Sequence, residues 1–346
     1  MRTTLITGGA GFVGTNMAHR LLSQGERVVV LDDLSRPGVE DTLRQLRRTG
    51  GRRVQVEIGD VRQPDVVRRV VRAVDQVFHF AAQVAVTTSV TDPVHDYTVN
   101  LGGTVTLMEE LRRLDHPPPL LFTSTNKVYG KLDGLAVRKH GNRYEPVDTE
   151  VARHGVSEER PLQFSSPYGC SKGAADQYVL DYATTYEMPT VVFRMSCVYG
   201  PYQCGNEDQG WVAHFLKQAL AGRPITLFGD GCQVRDVLFV DDLLDAMLLA
   251  TAQVGELAGR AFNIGGGPAS TLSLRELLAL IGRLTGRAKA HRGPWRVGDQ
   301  RYYVSDTRRF SAATGWIPRV APEQGVELLH RWLDGRPAEL SGSRAS

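Results

Sequence analysis

The sequence predicts an α/β fold: a doubly wound parallel sheet followed by a smaller, mixed α/β C-terminal unit that binds substrate. Three observations predict it. Short β-branched runs alternate with helical patterns over the first 200 residues, which argues parallel strands joined by right-handed crossovers. The first run passes at once into a glycine-rich turn that opens a helix. Beyond Pro201 the rhythm gives way to shorter, less regular pieces. The reading is therefore residues 1–200 as a dinucleotide-binding unit and 201–336 as mainly substrate-binding, with some segments returning to the first sheet. Residues 337–346 form a polar tail expected to fray.

Thr3–Thr7 reads as a buried strand. Gly8-Gly-Ala-Gly11-Phe12-Val13-Gly14 follows, and then the helical pattern from Asn16 to Leu22. Strand, glycine turn and helix are the context of a Rossmann-type fingerprint, in which glycines let the backbone approach a pyrophosphate on the helix N-terminus. The spacing is GxxGxxG, one residue longer between the first two glycines than the common form. Arg27 to Asp33 is the second strand, and its end is acidic. A carboxylate there bonds ribose hydroxyls and repels a 2′-phosphate, so Asp32 first, and Asp33 beside it, favour NAD over NADP.

Val54–Val61 is the third strand, with Asp60 placed either to reach the adenine amino group or to cap the next helix. Gln76 to Ala82 is the fourth, and Phe80, Ala81 and Ala82 bring it close to the dinucleotide. A long helix is expected to start in Asp96-Tyr-Thr-Val-Asn100. Leu120–Thr125 is the next strand. Its terminal hydroxyls point into the crevice where open α/β sheets bind ligands, which makes Thr125 a candidate for the chemistry. Residues 131–163 are polar with no clean period, and read as a long connection over the active site, lid-like.

Tyr168 and Lys172 follow, four apart and so on one face of a helix. An ammonium one turn from a phenol favours the phenolate, and such a Tyr can take a proton from a hydroxyl near neutral pH. The pair also occurs on ordinary solvated helices. It gains weight from the glycine turn, the acidic second strand and Thr125. Thr190–Pro201 is a further strand and turn, Trp211–Leu220 an amphipathic helix, and Ile225–Gly231 and Val234–Val240 short strands. Leu243–Ala250 and Leu274–Leu284 read as helices, and Ala261–Gly265 and Tyr302–Asp306 as strands, all assigned to the smaller unit.

Composition narrows the function classes. The net charge is +3, from 41 Lys and Arg against 38 Asp and Glu. Arginines cluster at Arg44–Arg53 and Arg62–Arg72, but acids are interspersed and aromatics are not, so solvated helix faces are expected rather than a nucleic-acid surface. No run approaches a membrane span. The four cysteines lack CxxC spacing, so neither a metal site nor a disulfide framework is expected, and a reducing cytoplasm is the simplest compartment.

Taken together, the GxxGxxG start, Thr125 and Tyr168-x-x-x-Lys172 resemble the extended short-chain dehydrogenase/reductases of the NAD-dependent sugar epimerase/dehydratase family, through Trp316. Ser124-Thr-Asn-Lys-Val-Tyr-Gly130, Phe193-Arg-Met-Ser-Cys-Val-Tyr-Gly200 and Glu207-Asp-Gln-Gly-Trp-Val-Ala-His-Phe215 look like its CDP-paratose 2-epimerase (CDP-tyvelose epimerase) branch. The resemblance implies bound NAD, Tyr168 as the base that opens a hydride transfer to the nicotinamide, Lys172 lowering the phenol and holding the nicotinamide ribose, and Thr125 on the reacting oxygen. It places Phe12, Val13, Asp32, Asp60, Val61, Ala81, Gln83, Asn100 and Ser124 around the cofactor. It gives Arg235 and Arg296 to a substrate diphosphate, Asp299 to the nucleotide ribose, and Asn126 and Gln209 to the sugar. The family's dehydratases carry Asp-Glu after the Thr. Asn126-Lys127 stands there instead, which disfavours water elimination.

The expected activity is therefore inversion of one carbon of a nucleotide sugar, C2 of a CDP-hexose first. The alternatives are a UDP-sugar or UDP-uronate 4-epimerase, then an oxidoreductase with net NADH release, then a silent NAD-binding sensor, against which the intact Thr125, Tyr168 and Lys172 argue. The family resemblance also implies a homodimer or homotetramer built through the Tyr168 helix.

Overall fold

The computed structural model describes residues 1–296 and 298–335; the tail expected after Pro337 lies outside them. Five strands lead: β1 (Thr3–Thr7), β2 (Arg27–Asp32), β3 (Val54–Ile58), β4 (Gln76–His79) and β5 (Leu120–Thr125). β6 (Val137–His140) and β7 (Arg143–Pro146) form a hairpin. Then come β8 (Thr190–Met195), β9 (Cys197–Tyr199), β10 (Ile225–Phe228), β11 (Val234–Phe239), β12 (Arg260–Ile264), β13 (Thr271–Ser273), β14 (Ala290–Gly293) and β15 (Tyr302–Tyr303).

Seven strands make the main sheet in the order β12-β8-β5-β4-β1-β2-β3. Every pairing in it is parallel. Such a sheet needs apolar cover on both faces. Neighbouring residues supply it by pointing opposite ways. Ile6, Phe78, Leu121 and Phe193 join one buried cluster, and Leu5, Val77, Phe122 and Val192 the other. Strand order reverses between β1 and β4, and the crevice beyond their carboxyl ends is where an open α/β sheet binds ligands.

The smaller unit is built on β11, flanked by β13, β15 and β9, with β10 paired to β14. Two segments read locally as part of the smaller unit return to the first one. β12 lies in the main sheet beside β8, and the helix Val240–Ala252 packs on the helix Phe12–Ser23 and on β5. Arg20 fastens that helix pair through Asp245 at 2.5 Å and Asp241 at 3.3 Å. Neither assignment is visible locally, because a buried strand looks the same in either sheet.

The expected long helix is interrupted. A helix over Pro93–Tyr97 passes through a π turn, Thr98–Gly102, into Gly103–Arg112. The connection 131–163 is not structureless: beside the hairpin it holds a helix, Thr149–His154, capped by Asp148. It packs on the smaller unit, with Tyr144 N donating to Cys232 O at 2.9 Å and Val156 N to Val304 O at 2.7 Å. No residue of 131–163 lines the cleft described below. The arginine clusters carry ion pairs: Arg68 with Glu110, Arg69 with Glu57, Arg62 with Asp60. Among the described residues no helix is long and apolar enough to cross a membrane.

Candidate active site

A single cleft of about 1240 Å³ runs along the carboxyl ends of the strands and out between the two units. One wall comes from the glycine turn and the ends of β2, β3 and β4. Gly8, Gly11, Phe12, Val13, Gly14, Asp32, Asp33, Asp60, Val61, Phe80, Ala81, Ala82 and Gln83 all line it. Gly8 sits at φ +67, and a Cβ there would meet Ala81 N at 2.7 Å. A Cβ on Gly14 would meet Gly8 O at 2.4 Å. Both positions therefore require glycine for the turn to close. Gly11, at the N-cap, leaves the helix start without a side-chain cap, so its leading N–H groups are open to an anion.

Asp32 accepts from Ala10 N and Leu34 N, each at 2.9 Å, so the glycine turn itself holds the carboxylate in place. Burial pushes its carboxyl up, against those two bonds. Asp33 is instead tied to Ser35. Asp60 does not cap the helix Pro64–Val71, whose N-cap is Gln63. It pairs with Arg62 at 2.5 Å, and that hydrogen bond holds its carboxyl below the usual range.

The reacting end lies where β5 stops. Ser124, Thr125 and Asn126 line it with Tyr168 and Lys172, which the helix Pro167–Thr185 brings up from the other side. Ser166 caps that helix by accepting from Gly169 N, and Tyr168 N donates to Ser89 Oγ at 3.1 Å. Thr125 Oγ1 accepts from Lys127 N at 3.2 Å. It donates to Asn126 Oδ1 at 3.5 Å, a long contact, and is near enough to the Tyr168 phenol to pull its pKa down. Ser124 Oγ is buried with no partner among the described residues. An orphaned hydroxyl in the same cleft as an uncapped helix start and a glycine cradle is the polar environment a dinucleotide would complete. The residues fit NAD, and Asp32 disfavours a 2′-phosphate.

The electrostatics of the pair differ from the expectation. Burial pushes the Tyr168 phenol up to about 12, partly offset by the Thr125 hydrogen bond, and Asp96 adds to the rise. Lys172 is desolvated in its turn. Its ammonium lies over the Phe122 ring, 4.1 Å from the centroid, and burial pushes it down to about 7. Both groups are desolvated, so both lean toward their neutral forms.

Asn100 is the one expected cofactor contact that does not line the cleft. It lies behind the wall on the π turn, donating to Asp96 Oδ1 at 3.1 Å and Ser171 Oγ at 3.0 Å. Asp96 is fully buried, accepts from Gln83 at 3.1 Å and from Ser171, and so ties the Tyr168 helix to the end of β4. The sequence reading passed over Asp96, although its i, i+4 spacing to Asn100 was visible. It also passed over His79, buried between Thr7 and Thr104 beneath Lys172 and pushed down to about 3 by burial.

The outer cleft contains the expected substrate residues in unexpected pairings. Arg235 Nη2 donates to Asp299 Oδ1 at 2.8 Å, so the diphosphate and ribose candidates hold each other. Arg296 lies over the Phe228 ring at 3.6 Å and pairs with Asp208 at 3.5 Å. Gln209 spans the mouth, accepting from Arg36 at 2.5 Å and donating to Val84 O at 3.3 Å. Lys127 lines the cleft as well.

The family model described as "NAD dependent epimerase/dehydratase family" matches residues 4–265. The chain is 41% identical to a CDP-paratose 2-epimerase of Salmonella typhi, over 95% of this chain and 98% of that one. It is 35% identical to a UDP-glucose 4-epimerase of Mycolicibacterium smegmatis, over 93% and 96%. Among solved structures, a Thermus thermophilus UDP-glucose 4-epimerase in complex with NAD superposes with a TM-score of 0.80 at 32% identity, covering 96% of this chain and 99% of that one.

Proposed function

The chain belongs to the NAD-dependent epimerase/dehydratase family, and from that premise we propose that it is a nucleotide-sugar epimerase that inverts one sugar carbon, C2 of a CDP-hexose. The observation that carries the reading is the end of β5. A strand-end hydroxyl, Thr125, lines the cleft with a buried phenol, Tyr168, and Asn126 and Lys127 follow it with no carboxylate. That set can hold and move a proton at a sugar hydroxyl. It lacks the adjacent acid and base that expulsion of water would need. The 41% identity over nearly the full length supports the CDP-hexose assignment.

NAD, when bound, supplies the hydride acceptor and returns the hydride. The residues of the chain do the rest. The uncapped start of the helix Phe12–Ser23 receives the pyrophosphate, and Asp32 takes the adenosine ribose. Thr125 donates to the reacting sugar oxygen and fixes its distance from Tyr168. Tyr168, whose ionisation is favoured by the positive charge of a bound nicotinamide, takes the hydroxyl proton on its phenolate as the sugar is oxidised, holds it while the keto sugar turns, and gives it back. Lys172 holds the nicotinamide ribose beside it. Arg235, Arg296 and Asp299 grip the nucleotide end, where the Arg fork suits a diphosphate. In this reading the Arg235–Asp299 pair opens to admit it.

The second reading is inversion at C4 of a UDP-sugar or UDP-uronate, favoured by the 35% identity to a UDP-glucose 4-epimerase. A panel of CDP- and UDP-sugars separates the two. The proposal expects a C2 epimer of a CDP-hexose with no build-up of NADH. A C4 epimer of a UDP-sugar would transfer the assignment to the second reading, and stoichiometric NADH release would make the protein an oxidoreductase. The homodimer or homotetramer expected from the family, and a cytoplasmic location, accompany this proposal.

A further inference from the structure

Lys127 stands two residues beyond Thr125, on the 3₁₀ turn Asn126–Tyr129 that leaves β5. Its backbone N–H already serves the site by donating to Thr125 Oγ1. Its ammonium has no comparable partner. Among the described residues its one hydrogen bond is a long donation, 3.5 Å, to Gln300 Oε1. The ionisable groups that bear on its charge are Arg235, Asp299 and Cys197. Asp299 offsets its charge only in part, because Oδ1 also accepts from Arg235 at 2.8 Å and Oδ2 from Gln233 at 3.1 Å. Burial pushes the Cys197 thiol up, which keeps it neutral. Two cations therefore share one carboxylate in a desolvated part of the cleft. An ammonium held this way is costly, and burial together with Arg235 pushes Lys127 down to about 8. An anion seated against Lys127 would relieve that cost with a charge-assisted hydrogen bond.

The nucleotide-sugar reading above, on which this step rests, supplies such an anion. We propose that Lys127 is a specificity-determining residue that binds the sugar-linked phosphate of the substrate and so presents the carbon next to the anomeric centre to Thr125 and Tyr168. The geometry gives the reason. Lys127 leaves the strand end that carries Thr125, and Arg235 and Asp299 act on its charge, so it lies in the cleft between the reacting end and the nucleotide end. The ring carbon beside the anomeric carbon is nearer that phosphate than the carbon across the ring. A cation placed between the nucleotide end and Thr125 therefore favours chemistry at C2 over C4.

The test measures binding of CDP and CMP, and of UDP and UMP, to NAD-loaded wild type, Lys127→Gln and Lys127→Arg by titration calorimetry. Within the tighter-binding pair, Lys127→Gln should weaken the diphosphate about 10- to 100-fold, the loss of one charge-assisted hydrogen bond. The monophosphate, which lacks the sugar-linked phosphate, should be almost unaffected. Lys127→Arg should recover most of the loss. In the wild type, diphosphate affinity should fall as pH rises through about 8, and that limb should vanish in Lys127→Gln. Equal weakening of both nucleotides, no weakening, or an Arg variant no better than Gln would overturn the assignment. Binding decides the matter whether or not a sugar is inverted, so this result stands apart from the fate of the epimerase reading.

Discussion

Replacing Lys172 with Met should change how the NAD-stripped protein responds to pH. Lys172 is 3% exposed and is pushed down from an ordinary 10.5 to about 7. Between those values the unfolded chain binds a proton that the folded chain does not, so stability rises with pH across the window. From pH 7 to pH 9 the gain is two units less the half already titrated at pH 7, or about 2 kcal/mol at 1.36 kcal/mol per unit. Lys127, at about 8, adds a slope of the same sign, but it is present in both proteins and cancels in the difference. Urea unfolding followed by tryptophan fluorescence at pH 7, 8 and 9 measures the effect. Lys172→Met should lose about 2 kcal/mol of the wild-type rise and should be the more stable protein at pH 7. Parallel profiles would refute the claim that Lys172 is a desolvated amine in the ligand-free cleft.

Two further outcomes follow from the same geometry. Tyr168→Phe removes the proton carrier but leaves the glycine turn and Asp32 untouched, so turnover should fall by about 10²- to 10⁴-fold or more while NAD still binds, as measured by steady-state kinetics and calorimetry. A variant that stays active would remove Tyr168 from the mechanism. Asp32→Ala removes the carboxylate that Ala10 and Leu34 hold in place, so discrimination against NADP should relax in paired binding titrations. Unchanged discrimination would place the exclusion of the 2′-phosphate elsewhere.

Much of this site was legible because its features are local. A strand running into Gly8-Gly-Ala-Gly11 has few alternatives, since a Cβ at Gly8 or Gly14 would strike backbone. Asp32 and Thr125 end their strands, which places them at the crevice whatever lies elsewhere. What the sequence could not convey was distance between segments far apart in the chain. β12 reads as a strand, yet only its partner β8 assigns it to the main sheet. The family resemblance gave Arg235 and Asp299 to the substrate, whereas their mutual pairing depends on β11 and the 299 loop meeting. The Tyr168–Lys172 spacing does put both residues on one helix, but the phenol lies above its ordinary value rather than below it. Spacing says nothing about desolvation, and here burial outweighs the neighbour. Asn100 lies off the cleft for a related reason. The π turn at Thr98–Gly102 turns it toward Asp96 and Ser171, behind the wall.

The most direct test of the central claim, reversible oxidation at one sugar carbon, is NMR of the NAD-loaded protein incubated with a CDP-hexose in D₂O. The account predicts a new epimer inverted at C2 whose inverted carbon carries no solvent deuterium. Deuterium at that carbon would show that the proton leaves carbon directly, and would contradict the roles given to Thr125 and Tyr168.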